Sequence, residues 1–102
     1  MELANINSNK KWLLGTEGSK CPVEIGYFEK ADDRLHYHEK IFEYYLVFSG
    51  KMTLLVSTEE FELKAGDVCC VFPEEKHLVV NCSKNLRCFL VKYPHLPEDK
   101  RF

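Results

Sequence analysis

Short apolar runs, each closed by a polar or turn-forming cluster, recur along this chain, and no segment carries a long apolar stripe at helical spacing. That punctuation predicts an all-β sandwich or barrel, because a strand needs only a few residues between reversals. The runs read as strands are Val23–Glu29, Leu35–His38, Glu43–Ser49, Lys51–Ser57, Phe61–Leu63, Val68–Phe72, His77–Asn81 and Arg87–Tyr93. The connections are Lys30–Arg34, Glu39–Phe42, Ser49-Gly50, Thr58–Glu60, Lys64–Asp67, Pro73–Lys76 and Ser83–Leu86, with permissive backbone at Gly50 and Gly66. A helical turn is expected only within Met1–Leu14. The 102 residues leave room for a single domain. Its core is expected over about residues 22–93, between an N-terminal arm 1–20 and a C-terminal tail 94–102.

Two of these runs are apolar on both faces. Alternate side chains of Tyr44-Tyr45-Leu46-Val47-Phe48 point to opposite sides of a sheet, and neither side is polar; Val68-Cys69-Cys70-Val71-Phe72 is similar. One face enters the core. The other needs a cover, either a second copy of the chain in a homodimer, the favoured reading, or Trp12-Leu13-Leu14 folded back within one chain.

Charge and cysteine content narrow the function classes. Fourteen Lys and Arg against sixteen Asp and Glu give a formal net charge of −2, the wrong balance for a footprint on nucleic-acid phosphates. No stretch approaches the ~20 apolar residues of a membrane span. The N-terminus lacks a basic region followed by an apolar core. The expectation is a cytoplasmic protein that engages neither nucleic acid nor membrane. The cysteines (Cys21, Cys69, Cys70, Cys82 and Cys88) are odd in number and form no CxxC pair, so they read as free thiols in a reducing compartment. Cys82 and Cys88 flank Ser83–Asn85, where a disulfide across a hairpin stays open as an alternative.

Chemistry concentrates after Leu35. The chain reads His36-Tyr37-His38, four residues, Glu43, six residues, Gly50, and later Gly66-Asp67, nine residues, His77, three residues, Asn81. On a strand His36 and His38 point to one face. Parity places Glu43, Tyr45 and Val47 on a common side of the next run. If the strand opened by His77 lies beside the first, three imidazole nitrogens and one carboxylate oxygen converge. That set suits one divalent transition metal per chain and leaves positions for water or substrate. Iron, manganese, nickel, zinc, cobalt and copper are all admissible with such donors. Tyr45 is the best substrate-lining candidate by its parity with Glu43. Asn81 is a second candidate, although it reads more readily as a structural hydrogen-bonding residue. Asp67 is expected to hydrogen-bond its own turn. His95 and the run Pro97-Glu98-Asp99-Lys100-Arg101 read as exposed tail.

These spacings resemble the two motifs of the cupin superfamily. His36, His38, Glu43 and Gly50 match the first, and Gly66, Asp67, His77 and Asn81 the second, over roughly residues 30–91. The chain departs from the pattern at turn positions: Lys30 stands where the first motif has glycine, Phe72 where the second has proline (here Pro73), and Glu74 where it has glycine. The resemblance implies a small single-domain cupin, a double-stranded β-helix or jelly-roll barrel of about eight strands, with His36, His38, Glu43 and His77 as metal ligands. It also implies a small-molecule ligand or substrate inside the barrel. The preferred reading is a metal-dependent enzyme, of a class that includes dioxygenases, isomerases, decarboxylases and lyases. The alternative is a non-catalytic module that binds or senses a sugar or metabolite. A fold of this kind does not by itself name a reaction.

Overall fold

A computed structural model describes residues 1–16, 18–31 and 34–102. After a 3-10 turn at Ile6–Ser8 the chain forms β1 Trp12–Leu14, β2 Glu24–Phe28, β3 Phe42–Ser49, β4 Lys51–Val56, β5 Glu59–Lys64, β6 Val68–Val71, β7 His77–Cys82 and β8 Arg87–Tyr93. All pairings are antiparallel. A larger sheet runs β1-β2-β8-β3-β6 and a smaller one β5-β4-β7, which face each other as a double-sheet jelly roll. Among the described residues no helix is long and apolar enough to cross a membrane.

The alternation read from β3 is the one observed. Glu43, Tyr45 and Val47 are buried, while Phe42, Tyr44, Leu46 and Phe48 face outward. Val47, Met52, Leu54, Leu63, Leu86 and Cys88 pack together between the two sheets and form the apolar end of the interior. Full burial of side chains of this kind contributes about 1.5–3 kcal/mol each. The opposite end of the interior is polar and holds the site described below.

Close approaches at two glycines fix the architecture. Gly50 carries the chain from the larger sheet to the smaller with φ 70°, and a Cβ there would lie 2.5 Å from Ser83 Oγ and 2.8 Å from Leu86 N. Gly26 pairs with Trp12 across β1 and β2, and a Cβ there would lie 2.7 Å from the indole ring. Only a glycine lets Trp12 lie flat on the inner surface of the sheet.

Several expectations are corrected. Leu35–His38 is not a strand: His36 makes a single bridge to His77, and Tyr37 makes one to Arg101 on the other side. Neighbouring residues that pair with different partners cannot build a continuous ladder. A strand forms instead at Trp12–Leu14, inside the expected arm. With its indole turned to the interior, Trp12 does not cover the outer face of β3 and β6. Cys82 and Cys88 do not flank a hairpin. Ser83–Leu86 carries the chain between sheets, and both thiols are free, as are those of Cys21, Cys69 and Cys70. The run from Pro97 is not a solvated tail, since Asp99 is buried against the loop that carries His38. The Lys30–Arg34 connection contains Asp32 and Asp33, which lie outside the described residues.

The turn departures have a visible consequence. Glu74 adopts φ 73°, the left-handed conformation that favours glycine, at the position where the motif resembled carries glycine. Its N–H donates to the His38 carbonyl at 2.6 Å, which keeps that backbone geometry in place. Glu74→Gly removes a left-handed penalty of about 1–2 kcal/mol and adds about 0.5–1 kcal/mol of unfolded-chain entropy. The expected result is a gain of about 0.5–1 kcal/mol, seen as a rise in the thermal midpoint of about 2–8 °C. A lower midpoint would show that the Glu74 side chain contributes to the turn.

Candidate metal centre

Four buried side chains meet at the polar end of the interior. His36 and His38 come from the loop ahead of β3, Glu43 is the second residue of β3, and His77 opens β7. The loop is tied to β7 by a reciprocal pair of main-chain hydrogen bonds, His36 N–H to His77 carbonyl at 3.2 Å and His77 N–H to His36 carbonyl at 2.8 Å. Because His36 and Tyr37 bridge to opposite sides, the alternation of a strand persists without a strand, and both imidazoles turn inward. One donor atom from each of the four residues lies within 4.8 Å of all the others.

The outer ring nitrogens determine what the inner ones can do. His36 Nδ1 lies 2.8 Å from the Arg34 carbonyl and His77 Nδ1 2.8 Å from the Glu75 carbonyl, and His38 Nδ1 contacts the Asp99 carbonyl. A carbonyl oxygen only accepts, so each Nδ1 donates and carries the proton. In the neutral rings every Nε2 therefore presents a lone pair. All three are aimed at Glu43 Oε1: His77 Nε2 at 2.9 Å, His36 Nε2 at 3.6 Å, and His38 Nε2 in direct contact. The His38 contact lacks the alignment of a hydrogen bond and leaves Nε2 as a buried nitrogen without a hydrogen-bond partner. Three lone pairs and a carboxylate, all electron-rich, need a cation or added protons between them. The donor set fits a divalent cation: nitrogen and oxygen ligands, oriented from behind by main-chain carbonyls.

Without metal, protons do this work. Burial pushes the Glu43 carboxyl up, but the imidazole contacts outweigh it and hold the group below the usual carboxylate range. For His77 burial favours the neutral ring, and the Glu43 carboxylate outweighs it and raises the pKa. Burial, and then the charge of Glu43, pushes the Tyr45 hydroxyl well above its ordinary value. Tyr45 stays protonated and donates to Glu43 Oε2 at 3.4 Å.

Of the substrate-lining candidates, Tyr45 is buried beside Glu43 and lines the adjoining cavity. Asn81 does not line it. The pairing of β4 with β7 passes from Thr53–Asn81 to Leu54–Val79, so Val80 is an extra residue. That bulge resets the alternation: Val79 and Cys82 pack on the core while Val80 and Asn81 are exposed. Asp67 accepts from Lys64 N–H at 2.8 Å, as expected of a turn residue. Burial pushes the Cys69, Cys70 and Cys82 thiols up, and that of Cys88 to about 12, which disfavours thiolate chemistry.

Two residues that support the site were not singled out from the sequence. The Asp99 carboxylate accepts from the N–H groups of Glu39, Lys40 and Ile41 at 2.9, 2.8 and 3.2 Å, while its carbonyl meets His38 Nδ1. Burial pushes the Asp99 carboxyl up, and these N–H contacts outweigh it and hold it low. Donors and acceptor lie about sixty positions apart, and no local pattern announces them. Lys92 did leave a signal. On β8 it follows Cys88 and Leu90 at alternate positions, so it is the inward charge at the end of an apolar alternation. With Trp12, Phe28, Tyr45, His36 and Glu43 it lines a cavity of about 70 Å³.

Comparison with known proteins bears on the same residues. Residues 27–92 match the family model described as Cupin domain. Among solved structures, an RmlC-like cupin family protein with a double-stranded β-helix fold from Methanocaldococcus jannaschii aligns with a TM-score of 0.70 at 22% identity, over 93% of this chain and 92% of that one. A Cupin 2 conserved barrel domain protein from Salinispora arenicola aligns with a TM-score of 0.70 at 18% identity, over 91% and 88%. Pac13 from Streptomyces, described as a unique nucleoside dehydratase, aligns with a TM-score of 0.71 at 17% identity, over 99% and 89%. At these identities the likeness is one of fold. No curated protein matches the chain's sequence.

The electrostatics give opposite pH trends with and without metal. Glu43 is depressed, so its contribution is present above the unfolded carboxyl value of about 4.3 and lost as pH falls through the folded one. His77 is raised, so its contribution is present below the unfolded value of about 6.5 and lost as pH rises through the folded one. Chelator-treated protein is expected to have a thermal midpoint that declines above about pH 6.5. With zinc present the midpoint should hold or rise over the same range, because ligation needs neutral rings. Identical pH profiles in the two states would count against a shared site.

Proposed function

The chain belongs to the cupin domain family, and we propose that it is a metal-binding member whose four ligands are His36, His38, Glu43 and His77. One observation carries the reading: all three Nδ1 atoms are engaged by main-chain carbonyls, which leaves three Nε2 lone pairs directed at one buried carboxylate. A structural cluster satisfied by protons alone would have no need of that uniform orientation. We further propose that the protein is a metal-dependent enzyme acting on a small molecule in the adjoining cavity. The cavity is lined by Glu43 and His36, so a molecule bound in it would lie against two of the four proposed ligands. That a protein of this fold is a nucleoside dehydratase supports a catalytic use of the architecture. A divalent cation held there would polarise an oxygen of the bound molecule as a Lewis acid. Glu43 would offset the charge, Tyr45 would donate its proton as a hydrogen bond, and the apolar walls would limit water.

Metal analysis of protein purified without chelator is expected to give about one transition-metal ion per chain. Acid or chelator should remove it. His77→Ala and Glu43→Gln should each weaken metal binding by more than about tenfold while thermal unfolding stays cooperative. Protein that holds no metal and takes none up on addition would overturn the ligand assignment, and loss of cooperative folding in both variants would mark the cluster as a core element.

We also propose a homodimer formed through the outer face of the larger sheet. Phe42, Phe48, Val68, Phe72 and Tyr93 are exposed there, and Phe48 stacks on Phe89 with centroids 4.9 Å apart. A continuous apolar surface of this kind is costly on a monomer. Light scattering is expected to give twice the chain mass of 12.0 kDa, and Val68→Glu should shift the protein to single chains. A wild-type protein that scatters as single chains at micromolar concentration would overturn the dimer.

A further inference from the structure

Lys92 is a half-buried charged group of the cavity that the four-ligand cluster does not use. In the antiparallel register it sits between Glu24 of β2 and Glu43 of β3, on the inward side of β8. Its ammonium lies 4.8 Å from the centre of the Trp12 ring. Both flanking carboxylates are committed elsewhere, Glu24 Oε1 at 3.7 Å from His95 Nε2 and Glu43 to the three imidazoles. Among the described residues no carboxylate pairs with Lys92, so a half-buried ammonium keeps its hydrogen-bond donors turned to the cavity with one ring face as its partner. Lys11, Lys30 and Lys100 line the same space; Lys11 and Lys100 already have partners and Lys30 is exposed at the rim, whereas Lys92 is half-buried. The remaining wall is apolar, formed by Phe28, Tyr45, Leu78, Val79 and Leu90 beside Trp12. A half-buried positive charge beside an apolar wall selects a small molecule with one negative end and an apolar body.

We propose that the cavity takes a small organic carboxylate, with its charged end held by Lys92 and its apolar body against Trp12 and Phe28. The inference rests on the reading of this cavity as the substrate pocket of the metal centre. A neutral molecule of the same shape would leave the ammonium without its counter-ion and bind more weakly.

Trp12 is the single tryptophan of the chain, so its fluorescence reports occupancy of this cavity. Butyrate and butyramide, alike in size and different in charge, are titrated into zinc-loaded and into chelator-treated protein. Butyrate is expected to bind at least about tenfold more tightly in both states, as a charge-assisted contact implies. Lys92→Met should bring the two ligands within about twofold of each other, and Lys92→Arg should keep the preference, which separates loss of the charge from loss of the fold. The zinc content of both variants should match that of the wild type. No preference in the wild type, or a preference that survives Lys92→Met, overturns the proposal. A chain that takes up no zinc yet prefers butyrate overturns the metal reading and supports this one; a chain that loads zinc without the preference overturns this one alone.

Discussion

Three contacts between ring nitrogens and main-chain carbonyls govern the interior of this protein. Each imidazole of the cluster is held from behind by the backbone, through Arg34, Asp99 and Glu75. Those carbonyls come from a loop, the C-terminal segment and a turn, which lie far apart in the sequence. The ring orientations therefore depend on segments that only the folded chain brings together. The inner nitrogens then have no freedom to turn away from Glu43 Oε1. A set of polar groups that would each cost about 1–3 kcal/mol to bury unpaired becomes a single electron-rich pocket. What satisfies it decides both the chemistry and the stability of this end of the domain.

The C-terminal segment has a larger part than a short polar run suggests. Asp99 uses its carboxylate to collect the N–H groups of Glu39, Lys40 and Ile41 and its carbonyl to fix His38. One residue thus closes the loop between the first ligands and β3, and sets the tautomer of one ligand. Tyr37 and Arg101 exchange main-chain hydrogen bonds at 2.8 Å on the same stretch. The loop is thus held by a strap formed by Asp99 and Arg101. That is an economical solution for a domain of this size, where few elements are available to support a buried site.

The legibility of the sequence followed the range of the interaction. The parity of Glu43, Tyr45 and Val47 was readable because it depends only on alternation along one strand. The convergence of His36, His38 and His77 was readable from spacing, given one condition, that two stretches some forty residues apart lie side by side. Asn81 failed because a single extra residue, Val80, reverses the facing of all that follows, and nothing in Val79-Val80-Asn81 marks a bulge. Leu35–His38 has the alternation of a strand but not its partners. Trp12–Leu14 has too few residues for a pattern, and its position depends on the bare surface of Gly26. Asp99 was out of reach because its role exists only across sixty residues of chain.

The inward charge of Lys92 joins these threads. An alternating strand usually ends its inward series on an apolar residue, and a charge in that place is tolerated only where it has a counter-charge or a use. Here the neighbouring carboxylates are occupied and the indole ring offers a partial partner. The ring in turn lies flat because Gly26 makes room for it. A glycine on β2, a tryptophan on β1 and a lysine on β8 thus form one assembly on the inner surface of the larger sheet, with Lys92 beside Glu43 in the ladder. Electron-rich donors and a positive charge, side by side at one end of an otherwise apolar lining, produce a polarised space. A symmetric apolar pocket would leave a small molecule free to tumble, whereas this one would hold a charged end at Lys92, beside Glu43, and lay the apolar body along Trp12 and Phe28.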